Sequence, residues 1–163
     1  MAYAVTHIIA GILGAELISK FVIKKEIPFR YYVLSGVAGL LPDIDVLFYP
    51  VAKIAGNASF ESIHRHYTHN LFIPLLFLIA ALIAFRMKKE NIGIAALIFA
   101  LGSFTHLLLD VSLLGEIGPF FPFSEFIMGF NIAAMFDKSI IVLAGLDALL
   151  LLGWLYWKER RHV

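Results

Sequence analysis

Apolar residues gather along the chain in runs too long for strands and too continuous for one face of a soluble helix. The runs cover residues 3–20, 31–49, 70–86, 91–114 and 139–157, with polar connections between them. About 20 apolar residues, rising about 1.5 Å each, cross the hydrocarbon core of a bilayer. The pattern therefore predicts an all-α, integral membrane helical bundle of about five membrane-associated helices, forming a single domain over residues 1–163. The third and fifth runs are clean. Pro42, Asp43 and Asp45 in "LPDIDV" interrupt the second, which predicts a kinked or broken helix. Glycines within the runs (Gly11, Gly14, Gly36, Gly39, Gly145) predict close helix packing. The first run has no basic residues ahead of it and carries His7 and Glu16, so it reads as a retained helix rather than a cleaved signal.

Composition supports a lipid environment. The 163 residues are 61% hydrophobic and 15% charged, against about 45–50% and about 25% for an ordinary soluble domain. A net charge of +1 lacks the basic excess that nucleic-acid binding requires. There is no cysteine, so any metal has to be held by nitrogen and oxygen.

The connections carry a charge bias. Lysine and arginine concentrate in "KFVIKKEIPFR", "RMKKE" and "KERRH", after the first, third and fifth runs. The positive-inside rule places these in the cytoplasm. The predicted topology is N-out and C-in, with the 50–69 and 115–138 loops outside.

Under that topology the acidic and imidazole side chains fall into register. His7 lies about one turn below the outer end of the first helix, and Asp43 and Asp45 near the outer end of the second. The loop "HRHYTHN" brings His64, His66 and His69 to the same side. In "THLLLD", His106 and Asp110 are spaced i and i+4, sharing one face of the fourth helix. A charged side chain at mid-helix in lipid costs about 2.5–3.5 kcal/mol on insertion scales. Several aspartates together would also repel one another unless cations intervened. Seven residues are candidate ligands: His7, Asp43, Asp45, His64, His69, His106 and Asp110. A catalytic zinc takes about three protein ligands plus water, so seven fit two metals better than one. Paired metals are the usual device for displacement at phosphorus. Arg65 suits a phosphate oxygen through its planar fork.

Other polar residues read more plainly. His66 is a solvated loop residue, Glu16 pairs with Lys20, and Asp137 with Lys138 forms a rim pair. Arg65, taken alone, also suits lipid headgroups. Asp147, near the middle of the fifth run, is either hydrogen-bonded between helices or part of a proton path. The aromatic stretch 115–136 predicts a segment in the membrane interface beside the mouth of the site, with Glu125 a weak further ligand. Thr68 and Asn70 suit supporting or helix-start roles.

The elements "LPDIDV", "HRHYTH" and "THLLLD", with an N-terminal His, resemble the YdjM-like family of LexA-regulated, membrane-bound, metal-dependent hydrolases. Its pattern appears in order over most of the chain, departing at His66 and Asn70, where the family often has a small residue and Ser. The order of His7, an Asp of the 43/45 pair, His64 or His69, and His106 with Asp110 is also distantly similar to zinc-dependent phospholipase C and the single-strand nucleases. The resemblance implies a hydrolase in the cell membrane of a prokaryote, and the topology from the loop charges puts its active site on the extracytoplasmic side.

Combined with the residues, this gives an expected function: two zinc ions (or Mn, Mg or Fe) cleaving a phosphoester of a lipid or lipid-linked substrate. Asp43, Asp45 and Arg65 are the expected catalytic residues, one aspartate serving as ligand and the other as base. A divalent-cation transporter is the alternative, and a structural metal site a third reading.

Overall fold

The computed structural model describes residues 4–56, 67–113, 116–135 and 139–160. Helix α1 (Ala4–Leu17) continues into a π-helical turn over Ile18–Ile23. Helix α2 (Phe29–Ala38) leads into a 3₁₀ segment at Leu41–Phe48 and then α3 (Tyr49–Gly56). Helices α4 (Phe72–Arg86) and α5 (Glu90–Leu113) form a hairpin, and α6 is Ser139–Arg160. The architecture is all-helical, as the apolar runs predict.

Helix α5 is the centre of the bundle, contacting α4, α1 and α2, while α6 rests against α1. One apolar core, built on Ala15, Ile27, Tyr31, Ile94 and Ile98, joins α1, α2 and α5. A smaller one, of Leu107, Val111 and Ile117 with Leu71 packed against it, holds the 116–135 loop to the end of α5.

The expected break in the second run is present: the Phe29–Ala38 and Leu41–Gly56 pieces meet at a 52° bend. Pro42 enters the second piece at its start, where its missing N–H is harmless. The expectation of five spans is only partly met. Ala4–Ile23 and Glu90–Leu113 are long and apolar enough to cross a membrane, and the bent pair makes a third if it counts as one span. Helix α4 and the Ala144–Trp157 stretch of α6 are apolar but shorter. Helix α4 ends where the run predicts, at Arg86, but starts two residues later. Asn70 caps its start, its side-chain oxygen accepting from the Phe72 N–H at 3.0 Å, and Met87 to Lys89 turn the chain into α5.

Glycines set the closest approaches. A β-carbon on Gly39 would lie 2.4 Å from the His7 carbonyl oxygen, and one on Gly102 would lie 2.5 Å from the Ala38 β-carbon. These two positions let α1, α2 and α5 meet next to His7 and His106. Gly145 departs from the packing expectation, since nothing lies within 4 Å of a β-carbon placed there.

Polar residues separate to the two ends of the bundle. The Lys-rich connections after the first and third runs meet at one end, where Lys25 pairs with Glu90 at 2.6 Å. The described cluster of His7, His69, His106, Asp43, Asp45 and Asp110 lies at the other.

Candidate metal centre

Helix α1 delivers His7 in its first turns, and α5 delivers His106 and Asp110 one turn apart on its inward face. The 3₁₀ segment supplies Asp43 and Asp45, and the residues before α4 supply His69. His7, His69, His106, Asp110 and Asp45 are buried, with exposures of 4% or less. The Asp43 side chain keeps 19% of its surface open.

Five of the predicted residues converge. His69 Nε2 and His106 Nε2 are 3.2 Å apart. Asp43 Oδ1 lies 3.4 Å from the first and 3.5 Å from the second; Asp110 Oδ2 lies 3.4 Å and 3.6 Å from them. The other oxygen of Asp110 turns to His7, with Oδ1 3.6 Å from His7 Nε2. The His7 ring stacks on the His106 ring at 3.8 Å between centroids.

These spacings suit a cation better than a hydrogen-bonded cluster. Good N–H···O bonds run about 2.7–3.2 Å. Ligand atoms at about 2.0–2.1 Å around a tetrahedral ion stand about 3.3–3.4 Å from one another. Among the described residues, two sets of three can hold an ion: His7 with Asp43 and His106, and His69 with His106 and Asp110. His7 Nδ1 is buried with no hydrogen-bond partner among the described residues, as expected of a polar atom waiting for a ligand or water. The residues fit a divalent metal.

Neighbouring groups fix the rings. His106 Nδ1 lies 2.7 Å from the Gly39 carbonyl oxygen, which only accepts, so the ring proton sits on Nδ1 and the Nε2 lone pair faces the cluster. On the far side of His69, Asp45 Oδ2 lies 3.6 Å from Nδ1, and Thr68 Oγ1 donates to that same oxygen at 2.6 Å. Asp43 and Asp45 thus straddle one imidazole, Asp43 at Nε2 and Asp45 at Nδ1. The expectation that both turn inward gives way to a division: Asp43 faces the cluster and Asp45 backs His69. The cause is the 3₁₀ backbone, where residues two apart point in different directions.

Burial disfavours charge on His69, but the adjoining carboxylates of Asp110, Asp43 and Asp45, which favour the protonated ring, outweigh it and push the pKa up to about 10. The metal-free ring therefore holds a proton that a metal must displace.

His64 and Arg65, as well as His66, Asp137 and Lys138, lie outside the described residues. Glu125 is exposed and belongs to neither ligand set. Glu16 lines a cavity near the Lys-rich end with Lys20 and Lys24. Asp147 has a partner that spacing did not reveal: it accepts from the Thr6 N–H at 3.0 Å and from the Thr6 hydroxyl. It caps the start of α1, one residue from His7. Sequence reading also missed the Gly39 carbonyl, because a backbone acceptor leaves no mark in residue type. The only hint was a glycine three residues before Pro42.

The family model for the YdjM inner membrane protein matches residues 1–163. No curated protein and no solved structure matches the chain. A match over the whole length, on a bundle with apolar spanning helices and a buried His/Asp cluster, places this chain in the YdjM inner membrane protein family.

Proposed function

We propose that the protein is a membrane-embedded, metal-dependent hydrolase acting on a phosphoester of a lipid or lipid-linked substrate at the extracytoplasmic face. One observation carries this reading. Three imidazoles and two carboxylates from four separate parts of the chain meet within hydrogen-bonding or ligand distance in a bundle that is otherwise apolar. Desolvated charges of this kind in a membrane protein mark function.

The orientation rests on the two ends of the bundle. The Lys-rich end, with Lys25 and Glu90, is opposite the His/Asp end. The positive-inside rule sets the first in the cytoplasm and the cluster outside, with N-out and C-in. The five-helix membrane arrangement belongs to this same reading, with α4 and α6 embedded beside the other spans.

His69, His106 and Asp110 would hold one metal. The two oxygens of Asp110, turned to different histidines, support a second position toward His7. A bound divalent metal supplies charge neutralisation at the phosphoryl group and an acidified water. Asp43, the least buried of the cluster carboxylates, accepts the proton of the attacking water. Asp45 and Thr68 hold the His69 ring in place. Arg65, on sequence grounds, binds a phosphate oxygen.

The transporter alternative leaned on Asp147 as a mid-membrane carboxylate. Its pairing with Thr6 gives that residue a capping role at the His/Asp end instead.

The test is turnover by purified protein, loaded with zinc or manganese, across a panel of phospholipids and lipid-linked phosphoesters. Release of a phosphorylated headgroup or of phosphate, lost in Asp43→Asn, is expected. No turnover on any member of the panel would overturn the reading.

A further inference from the structure

A cavity of about 1090 Å³ opens between the inner end of α1, the start of α2 and the far end of α6. It lies at the Lys-rich end of the bundle, and no residue of the His/Asp cluster lines it. Helix α6 packs on α1 but has no extensive contact with α2. Trp157 therefore forms one wall of the opening, and Phe29 and Tyr32 another.

The lining is graded along α1. Leu13 and Leu17, both exposed, occupy the part of the cavity inside the apolar stretch Ala4–Ile23. Lys20 and Lys24 follow at the end of that stretch, in the π-helical turn and just after it. From Leu13 to Lys20 is about 10 Å, seven residues of helical rise. The cavity thus runs from the hydrocarbon to the membrane boundary, where Trp and Tyr are the favoured aromatic residues.

Charge at the polar end is unbalanced. Lys25 is paired with Glu90 at 2.6 Å, and Glu16 has an interaction partner within the chain. Lys20 and Lys24 form no ion pair among the described residues; the Lys20 ammonium lies 5.4 Å from the centre of the Phe21 ring. Among the other lining residues only Glu26, exposed at the rim, opposes them. One positive charge is left over at the mouth of a partly apolar cavity.

We infer that this cavity binds an anionic phospholipid of the leaflet at the Lys-rich end, with the headgroup phosphate on Lys20 and Lys24 and the start of an acyl chain along Leu13 and Leu17. A free anion would use the lysines and waste the leucines, and a plain hydrocarbon would do the reverse. An amphiphile uses both, in the order in which a bilayer presents them. Basic pockets between membrane helices on the cytoplasmic side take phospholipid headgroups in this way. Lysines that only snorkel to the surface need no walls around them; here three elements supply walls. The site lies at the opposite end from the metal centre, so failure of the hydrolase reading would leave it standing.

Native mass spectrometry of the full-length, metal-free protein, stripped of lipid in detergent and titrated with phosphatidylglycerol, provides the test. One tightly held phosphatidylglycerol is expected. Lys20→Gln and Lys24→Gln are each expected to weaken it about fivefold. Lys89→Gln, at the same end but outside the lining, is expected to leave it unchanged. Leu17→Trp, which fills the apolar part, weakens it with both lysines in place. Lys20 and Lys24 are exposed, so their variants keep the fold, and Lys20→Arg is expected to retain binding.

Inorganic phosphate and diacylglycerol, which each carry half of the ligand's chemistry, are not expected to compete. Competition by either as strong as that of phosphatidylglycerol overturns the inference. So does an affinity indifferent to both lysine-to-glutamine substitutions, or several equivalent bound lipids with no tight first one.

Discussion

The Gly39 carbonyl oxygen accepts the Nδ1 proton of His106 at 2.7 Å, and through that bond the bend after α2 determines which nitrogen of His106 faces the cluster. The same glycine packs against the His7 backbone, where a β-carbon would lie 2.4 Å from a carbonyl oxygen. Gly39→Ala therefore forces α1 and α2 apart where two cluster residues are anchored. A loss of about 1–3 kcal/mol is expected from the overpacking, together with reduced metal content. Thermal unfolding and elemental analysis on the same sample check both.

Metal content discriminates most sharply among the cluster residues. His106→Ala and Asp110→Asn are each expected to remove bound metal from a protein that remains folded, because each strips a ligand from His69's side of the cluster. Elemental analysis beside far-UV circular dichroism reads this out. Full metal content in both variants would exclude the cluster as the binding site, and unfolding in both would favour a structural role.

Asp45 and Asp43 are expected to behave differently despite lying two residues apart. Asp45→Asn disturbs only the orientation of His69, so metal affinity is expected to fall about 10–100-fold without abolition. Asp43→Asn removes a residue that faces the ion and, in the proposed reaction, takes the proton. It is expected to abolish turnover whatever the metal content. Competition with a chelator gives the affinities, and turnover at saturating metal separates the two roles.

Metal affinity is expected to rise with pH. His69 has its pKa pushed up from the ordinary 6.5 to about 10, so between these values the metal-free ring is protonated while the metal-bound ring is not. Each binding event then expels a proton, and affinity climbs about tenfold per pH unit from this group until about pH 10. Calorimetry in two buffers of different ionisation enthalpy measures the proton released. Binding with no proton release at pH 8 would contradict the assignment.

Asp147→Ala leaves the buried Thr6 N–H without its acceptor and frees the start of α1. A loss of about 1–3 kcal/mol is expected for such an orphaned group, with weaker metal binding on the His7 side. Asp147→Asn, which keeps an acceptor oxygen, is expected to recover most of the stability. Unfolding midpoints in one detergent compare the three proteins.

Much of the site was visible in the chain because its residues are misfits in apolar runs. His106 and Asp110, four apart in a greasy helix, announce a shared face, and Pro42 announces the bend. Asp45 was harder. Its side of His69 depends on a 3₁₀ backbone and on how an imidazole from another segment is turned, neither of which follows from spacing. Asp147 was harder still, since its partner is 141 residues away and is partly a backbone N–H. The start of α4 was placed two residues early for a local reason: Asn70, the first residue of the run, caps the helix rather than joining it.

Helix α4 has 15 residues. At about 1.5 Å each it covers about 22 Å, well short of a hydrocarbon core of about 30 Å. If α4 is embedded across the membrane as proposed, local thinning of the bilayer around the short helix is one way to relieve a mismatch of this size. In the proposed orientation, thinning would fall where His69 and Asn70 precede α4 and would draw phosphates of the outer leaflet down toward the histidines. A lipid would then meet the centre after a shorter climb out of the bilayer than a full-length helix would impose.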